Sequence, residues 1–295
     1  MKLAVMAIAV CGAALLLATA AGSPGPSANS PIMPIAAPKD RAYPGEIHLT
    51  VDASDIGRRI IRVHESVSGI GAETVLLYPK WLPGTHAPEG PIDRIAGLKI
   101  SANGAQVSWT RDPVDVYAFR VHASPGIKSI DIDFEYLSPT SPQVGDLEIS
   151  RELLMLEWNE LVLYPAGYFA RQIPVEASLG LPADWQFASA LETALASGAR
   201  TEFKRVSLET LIDSPVYAGR YAARFDLDPG SPVPVHLDLF ADRPELLAVK
   251  PEQLEAHRAL VQQAYKLFGS HHYRHYDFLY SLSDQIQQSG LEHHQ

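Results

Sequence analysis

Five of the eleven histidines, His271, His272, His275, His293 and His294, crowd into the last 25 residues and raise the question of a metal. A zinc site of the H-E-x-x-H type sets two imidazoles one helical turn apart, with a glutamate between them as base. His271 and His275 have the spacing, but they follow Gly269, a helix stop, and run into strand-patterned sequence. His64-Glu65-Ser66-Val67-Ser68 lacks the second histidine and lies in a strand pattern, where the two ligand positions would not converge. The inverted order H-x-x-E-H fails because Ser289 stands where its first histidine should be. No complete metal site is expected within the chain, and the histidines read as solvated loop and strand residues.

Nucleophilic chemistry finds no better footing. G-x-S-x-G is absent, and the single cysteine, Cys11, lies in the leader described below. Gly69-Ile70-Gly71-Ala72-Glu73-Thr74 only half matches a dinucleotide-binding loop, with Thr in place of the last Gly. Two patterns remain. Trp81-Leu82-Pro83-Gly84-Thr85-His86, with Pro88, Gly90 and Pro91, makes a rigid, aromatic-led excursion whose plainest reading is a structural loop anchored by a buried Trp. Ser289-Gly290-Leu291-Glu292-His293-His294 follows a strand, and an acidic residue beside glycine there can hold a ligand ammonium close to backbone. An exposed surface glutamate is the alternative.

The elements that must position these residues are mostly strands. Ile47, Leu49 and Val51 alternate with polar neighbours, as do Ile130, Ile132, Phe134 and Tyr136, and similar runs occur at 59–67, 74–78, 116–122 and 175–179. Turn clusters such as Asn103-Gly104 and Ser124-Pro125-Gly126 separate them. The pattern changes near Pro232. Val233, Val235, Leu237 and Leu239 alternate; Leu254, His257, Leu260, Val261, Ala264, Leu267 and Phe268 recur at helical spacing; Tyr276, Phe278, Tyr280 and Leu282 alternate again. Pro251 suits a first helical turn and Gly269 a stop, so the segment reads strand, helix, strand. About sixty residues of that kind cannot bury a sheet on both faces, so the unit either docks as an appendage or opens a longer domain.

The start of the chain carries a different signal. Met1-Lys2, an apolar run from Leu3 to Ala21 and the closing Ala18-Thr19-Ala20 have the layout of a cleavable signal peptide, an uncleaved membrane anchor being the alternative for nineteen apolar or small residues. Removing it takes away Cys11 and leaves a chain without thiols. Residues 22–43 are rich in Pro, Ser and Ala, as in a flexible tether. With 24 basic and 34 acidic residues the net charge is −10, which disfavours nucleic acid and anionic lipid as partners.

Three segments resemble the glycyl aminopeptidase family of zinc metallopeptidases: Trp81-Leu82-Pro83-Gly84-Thr85-His86; Ser207-Leu208-Glu209-Thr210-Leu211-Ile212-Asp213-Ser214-Pro215; and His275-Tyr276-Asp277-Phe278-Leu279 with Leu282-Ser283-Asp284 and Gly290-Leu291-Glu292-His293. The last is the most specific. The resemblance implies an N-terminal β domain, a thermolysin-like catalytic domain and often a C-terminal PDZ domain. It implies that Gly290, Leu291 and Glu292 line the substrate cleft, Glu292 receiving the free α-ammonium of a peptide. The family commonly has a second Gly where Ser289 stands, and its H-E-x-x-H and later Glu ligand lie downstream of this motif, so none is present here.

The expectation is therefore a mainly β chain. An antiparallel β-sandwich-like N-terminal domain covers 44–231, and the incomplete strand-helix-strand start of a thermolysin-like α/β catalytic domain covers 232–295, behind a signal peptide (1–21) and linker (22–43). Its function would be that of the N-terminal part of an exported aminopeptidase, periplasmic or extracellular, releasing small N-terminal residues and inactive alone. Gly290, Leu291 and Glu292 bind substrate; no catalytic or metal residue and no cofactor belong to this chain, zinc being expected only in a full-length relative. Its partners would be peptide N-termini once the missing segment completes the site, with neither nucleic acid nor, in the mature form, membrane. The rival is a noncatalytic extracytoplasmic β-sandwich binding module. A third reading, polymer binding through Trp81, Trp109 or Trp185, competes with the tendency of Trp to pack into a core.

Overall fold

The period-two runs become the centre of a nine-stranded sheet in the computed structural model, which describes residues 33–81, 87–141, 147–286 and 290–294. The expected signal peptide, residues 22–32 of the linker, His86 and Ser289 lie outside the described residues. Strands β1 (Ile47–Asp52), β2 (Ile60–Ser68), β3 (Ser129–Leu137) and β4 (Pro174–Gly180) lie in the order β4-β1-β2-β3. Cross-strand rows such as Val51↔Val63↔Phe134 and Ile47↔Val67↔Ile130 put every second side chain on one buried face. The other face is wet, with His64 Nδ1 2.9 Å from Asp133 Oδ1.

An antiparallel domain was expected, and here the structure corrects it. β1 and β4 run parallel, in register Ile47↔Val175, Leu49↔Ala177 and Val51↔Leu179. The chain between them makes a long excursion, so no hairpin turn dictates their relative direction. That excursion contributes a four-stranded sheet around Glu73–Leu77 and Ala118–His122, and its strand Leu153–Leu156 joins Val216–Gly219, from beyond β4, in a second four-stranded sheet. Leu76, Phe119, Leu156, Val216 and the fully buried Trp158 join the apolar face of the large sheet in one core, which gives the sandwich-like layering.

A short helix, α1 (Leu208–Ile212), seals this domain with Leu208 and Leu211. A three-stranded sheet follows, formed by β5 (Tyr221–Asp226), β6 (Val235–Ala241) and β7 (Tyr276–Leu282) in the order β5-β6-β7. It already begins at Tyr221, upstream of Pro232. Helix α2 (Pro251–Phe268) connects β6 to the parallel β7, a crossover built on the strand-helix-strand order read from the sequence. Pro251 opens it, Gln253 Oε1 accepts the Lys250 N–H at 3.1 Å, and Gly269 closes it at φ 68°, a conformation that costs glycine nothing.

Each face of the small sheet meets something different. Leu237 and Leu239 pack with Val261 of α2, whereas Phe240 packs with Leu153, Ala188 and Ile286. The helix leaves Leu260, Leu267 and Phe268 exposed (55%, 77% and 71%), and among the described residues nothing pairs with the outer edge of β7.

Candidate functional site

The segment Gly290-Leu291-Glu292-His293 is built onto the β domain through α1. Ser207 caps that helix, its Oγ accepting the Thr210 N–H at 3.0 Å, and Ser214 Oγ donates to the Thr210 carbonyl at 2.7 Å. Pro215 prevents the helix from continuing. Asp213 is left at the C-terminal end of a helix closed at both ends. Its Oδ1 lies 3.1 Å from His293 Nδ1, and its Oδ2 accepts the His294 N–H at 3.0 Å. Two of the sequence segments singled out above thus meet in space. Gly290, Leu291 and Glu292 are exposed, and the Glu292 carboxylate contributes, after burial and Tyr273, to holding the Tyr276 phenol above its ordinary pKa.

A second polar cluster fixes the strand leading to that segment. Asp277 of β7 accepts from His236 Nδ1 at 2.9 Å and His275 Nδ1 at 2.6 Å, and Arg224 grips the neighbouring Asp238 with Nε at 2.6 Å. Burial pushes the Asp277 carboxyl up, but the hydrogen bonds from His275 and His236 outweigh it and hold the group below the usual aspartate value. Asp277 in turn raises His275, with the Ala190 backbone and Glu192 acting in the same direction. For Asp238, burial wins over Arg224 and the carboxyl stays raised. Arg274, which pairs with Glu192 at 2.9 Å, completes this seam between the small sheet and residues 190–192.

The solvated histidines expected from sequence are therefore only partly so. His236 and His275 orient on Asp277, His293 on Asp213, and His271 stacks on Tyr265 at 4.1 Å. A carboxylate far away in sequence partners His236 and His293, which local patterns do not reveal, whereas His275 meets a carboxylate two residues on. Among the described residues no three of His, Cys, Asp or Glu converge on a point where a metal could sit.

Trp81 is not the buried anchor expected of it: the side chain is 60% exposed. Its loop is closed at the base by other groups. Lys80 Nζ reaches Asp115 Oδ2 at 2.6 Å, Trp81 and Pro88 form an isolated bridge, and Gly90 lies against the Pro79 carbonyl so tightly that a Cβ would come within 2.1 Å of it. With polar and backbone contacts closing the base, the indole is not needed as a plug. Trp109 and Trp185 pack half-buried against the core.

Sequence reasoning passed over Asp213, the anchor of the terminal segment, and Glu65, a fully buried carboxyl on β2. Asp213 could have been found from the acidic residue between a capped helical turn and Ser-Pro. Glu65 had no signal beyond its place at an inward position of an alternating run. Leu163 N–H donates to Glu65 Oε2 at 3.0 Å, Oε1 is buried without a hydrogen bond, and burial pushes the pKa up to about 8. An open cleft of about 790 Å³, lined in part by Tyr43, Glu46, Arg171 and Arg205, lies away from Glu292.

Comparison with known proteins bears on the β domain above all. A model of the peptidase M61 N-terminal domain matches residues 48–220, ending where β5 begins. No curated protein matches the chain. Among solved structures, an aminopeptidase N family protein from Idiomarina loihiensis is similar over 84% of this chain and 40% of its own, at 17% identity and TM-score 0.69. An M1 zinc metallopeptidase variant from Deinococcus radiodurans, bound to a Tyr-Ser-Ala substrate, is similar over 81% and 56% respectively, at 15% identity and TM-score 0.45. This chain spans less than half the length of the first of these.

Proposed function

Since the chain belongs to the M61 peptidase family, we propose that it is the front part of an exported zinc aminopeptidase acting on small N-terminal residues such as Gly and Ala. In this reading the β domain is complete, and residues from β5 onward open a thermolysin-like catalytic domain. The observation that carries it is the pinning of the terminal segment by Asp213, which leaves the Glu292 carboxylate exposed just beyond β7. The edge of β7 that no described strand pairs and the exposed Leu260, Leu267 and Phe268 support the same reading, as surfaces that further sequence would cover.

Glu292 receives the α-ammonium of a peptide, and a carboxylate fixed at one end of a cleft selects chains with a free amine. Gly290 is held neither by a left-handed φ nor by a neighbour, since a Cβ there would meet nothing within 4 Å. In this reading the bare Cα of Gly290 lets a ligand come close to the backbone. The described residues do not fit zinc: no ligand set converges, and H-E-x-x-H is absent from all 295 residues. Zinc, which would polarise the scissile carbonyl and acidify a water, belongs in this reading to sequence beyond Gln295.

The reading is tested by titrating the 295-residue protein with glycyl- and alanyl-dipeptides and with their N-acetylated forms, following backbone amide signals. Free-amine peptides should move the signals of 290–294, acetylated ones should not, and Glu292→Gln should remove the response. Equal responses to both would overturn the assignment of Glu292. An open frame past codon 295 carrying H-E-x-x-H supports the enzyme, whereas an immediate stop leaves a noncatalytic binding module.

A further inference from the structure

We propose that Asp213 is a positioning residue, through which the β domain sets the direction of the Glu292 carboxylate. The proposal rests on the role given to Glu292 above. It starts from the geometry of a two-point contact. A single hydrogen bond would let the segment pivot, but Asp213 uses one oxygen for the His293 ring and the other for the His294 backbone. Both side chains are largely shielded, at 14% for Asp213 and 15% for His293, so water competes poorly for the pair.

The platform itself is rigid. Asp213 N–H donates to the Glu209 carbonyl at 3.3 Å, Ser207 and Ser214 close the two ends of α1, and Leu208 and Leu211 are buried beneath it. His293 is held inward against Asp213 while its neighbour Glu292 is exposed, so holding the one fixes the backbone from which the other projects. A carboxylate only accepts hydrogen bonds, so His293 Nδ1 carries the proton of the pair, which defines the ring tautomer. The consequence is that a residue of the β domain determines where a peptide amine is received.

Three variants of the 295-residue protein test this: Asp213→Ala, Asp213→Asn and His293→Ala. The readouts are amide exchange of 293–294, the ring-nitrogen signals of His293, and the response of 290–294 to glycylglycine. In Asp213→Ala exchange should accelerate roughly ten- to hundredfold, as for loss of a charge-assisted hydrogen bond. The ring signals should become those of a free imidazole and the glycylglycine response should weaken. Asp213→Asn keeps one acceptor and should recover part of each effect. His293→Ala breaks the same contact from the terminal segment, which decides the matter if the Asp213 variants do not fold. Unchanged exchange and ring signals would overturn the proposal, as would a lost tether with an unaltered glycylglycine response. Wild-type protein that ignores glycylglycine would overturn the role of Glu292 instead, and the tether would then stand or fall on exchange and ring signals alone.

Discussion

Asp213 Oδ1 and His293 Nδ1 lie 3.1 Å apart although eighty positions separate them in the chain. The pair joins the end of α1, in the domain matched by the M61 family model, to a segment beyond the matched region. The Asp277 cluster ties the small sheet to the same domain beside residues 190–192. Any ligand bound at 290–294 is therefore held in the frame of the β domain.

Incubated with zinc, the 295-residue protein should show no stoichiometric metal by elemental analysis and no turnover of alanyl or glycyl anilides, because a zinc-activated water needs ligands that this sequence lacks. Bound zinc with turnover would refute this.

Glu65 should make stability fall as the solution becomes alkaline. Its folded pKa of about 8 lies above the ordinary 4.5, so between those values the unfolded chain has lost a proton that the folded one keeps. Stability declines through that window and levels off above it, by a few kcal/mol in all at about 1.4 kcal/mol per unit. Glu65→Gln should flatten the decline and raise Tm at pH 8. Denaturant titrations of both proteins from pH 5 to 9 would measure it, and parallel profiles would contradict it.

The Asp277 pair should respond at both ends of the pH scale. His275 is raised, so its contribution is complete below its ordinary value of 6.5 and is lost as pH rises through the higher folded value. Asp277 is lowered, so its contribution is present above 3.8 and is lost as pH falls through the lower folded value. The clamp is strongest between. Asp277→Ala should cost roughly 3 kcal/mol near pH 6 by leaving its partners uncompensated, and thermal melts should show the loss shrinking above neutral pH.

Asp112 tests the base of the region around Trp81. It accepts the N–H groups of Val114 and Asp115 at 2.8 and 2.9 Å and Arg120 Nε at 2.7 Å, while only 3% exposed. Those bonds, the Asp115 N–H foremost, keep its pKa low. Asp112→Ala should cost roughly 3 to 5 kcal/mol by depriving a shielded guanidinium of its carboxylate, read as a lower denaturation midpoint; Asp112→Asn should recover part.

Local physics was enough to determine much of this protein. Alternation placed β1, β2, β3, β6 and β7, because a strand with one wet face must repeat every second residue. Pro251 and Gly269 marked the ends of α2 through backbone constraints of their own. Tertiary structure alone decided that β1 and β4 are parallel, that Trp81 faces water, and that Glu65 titrates near pH 8. It alone joined Asp213 to His293 and Asp277 to His236. Each of these depends on groups distant along the chain. Hydrophobic periodicity records which side of an element is buried, but not which carboxylate or strand the fold will bring against it.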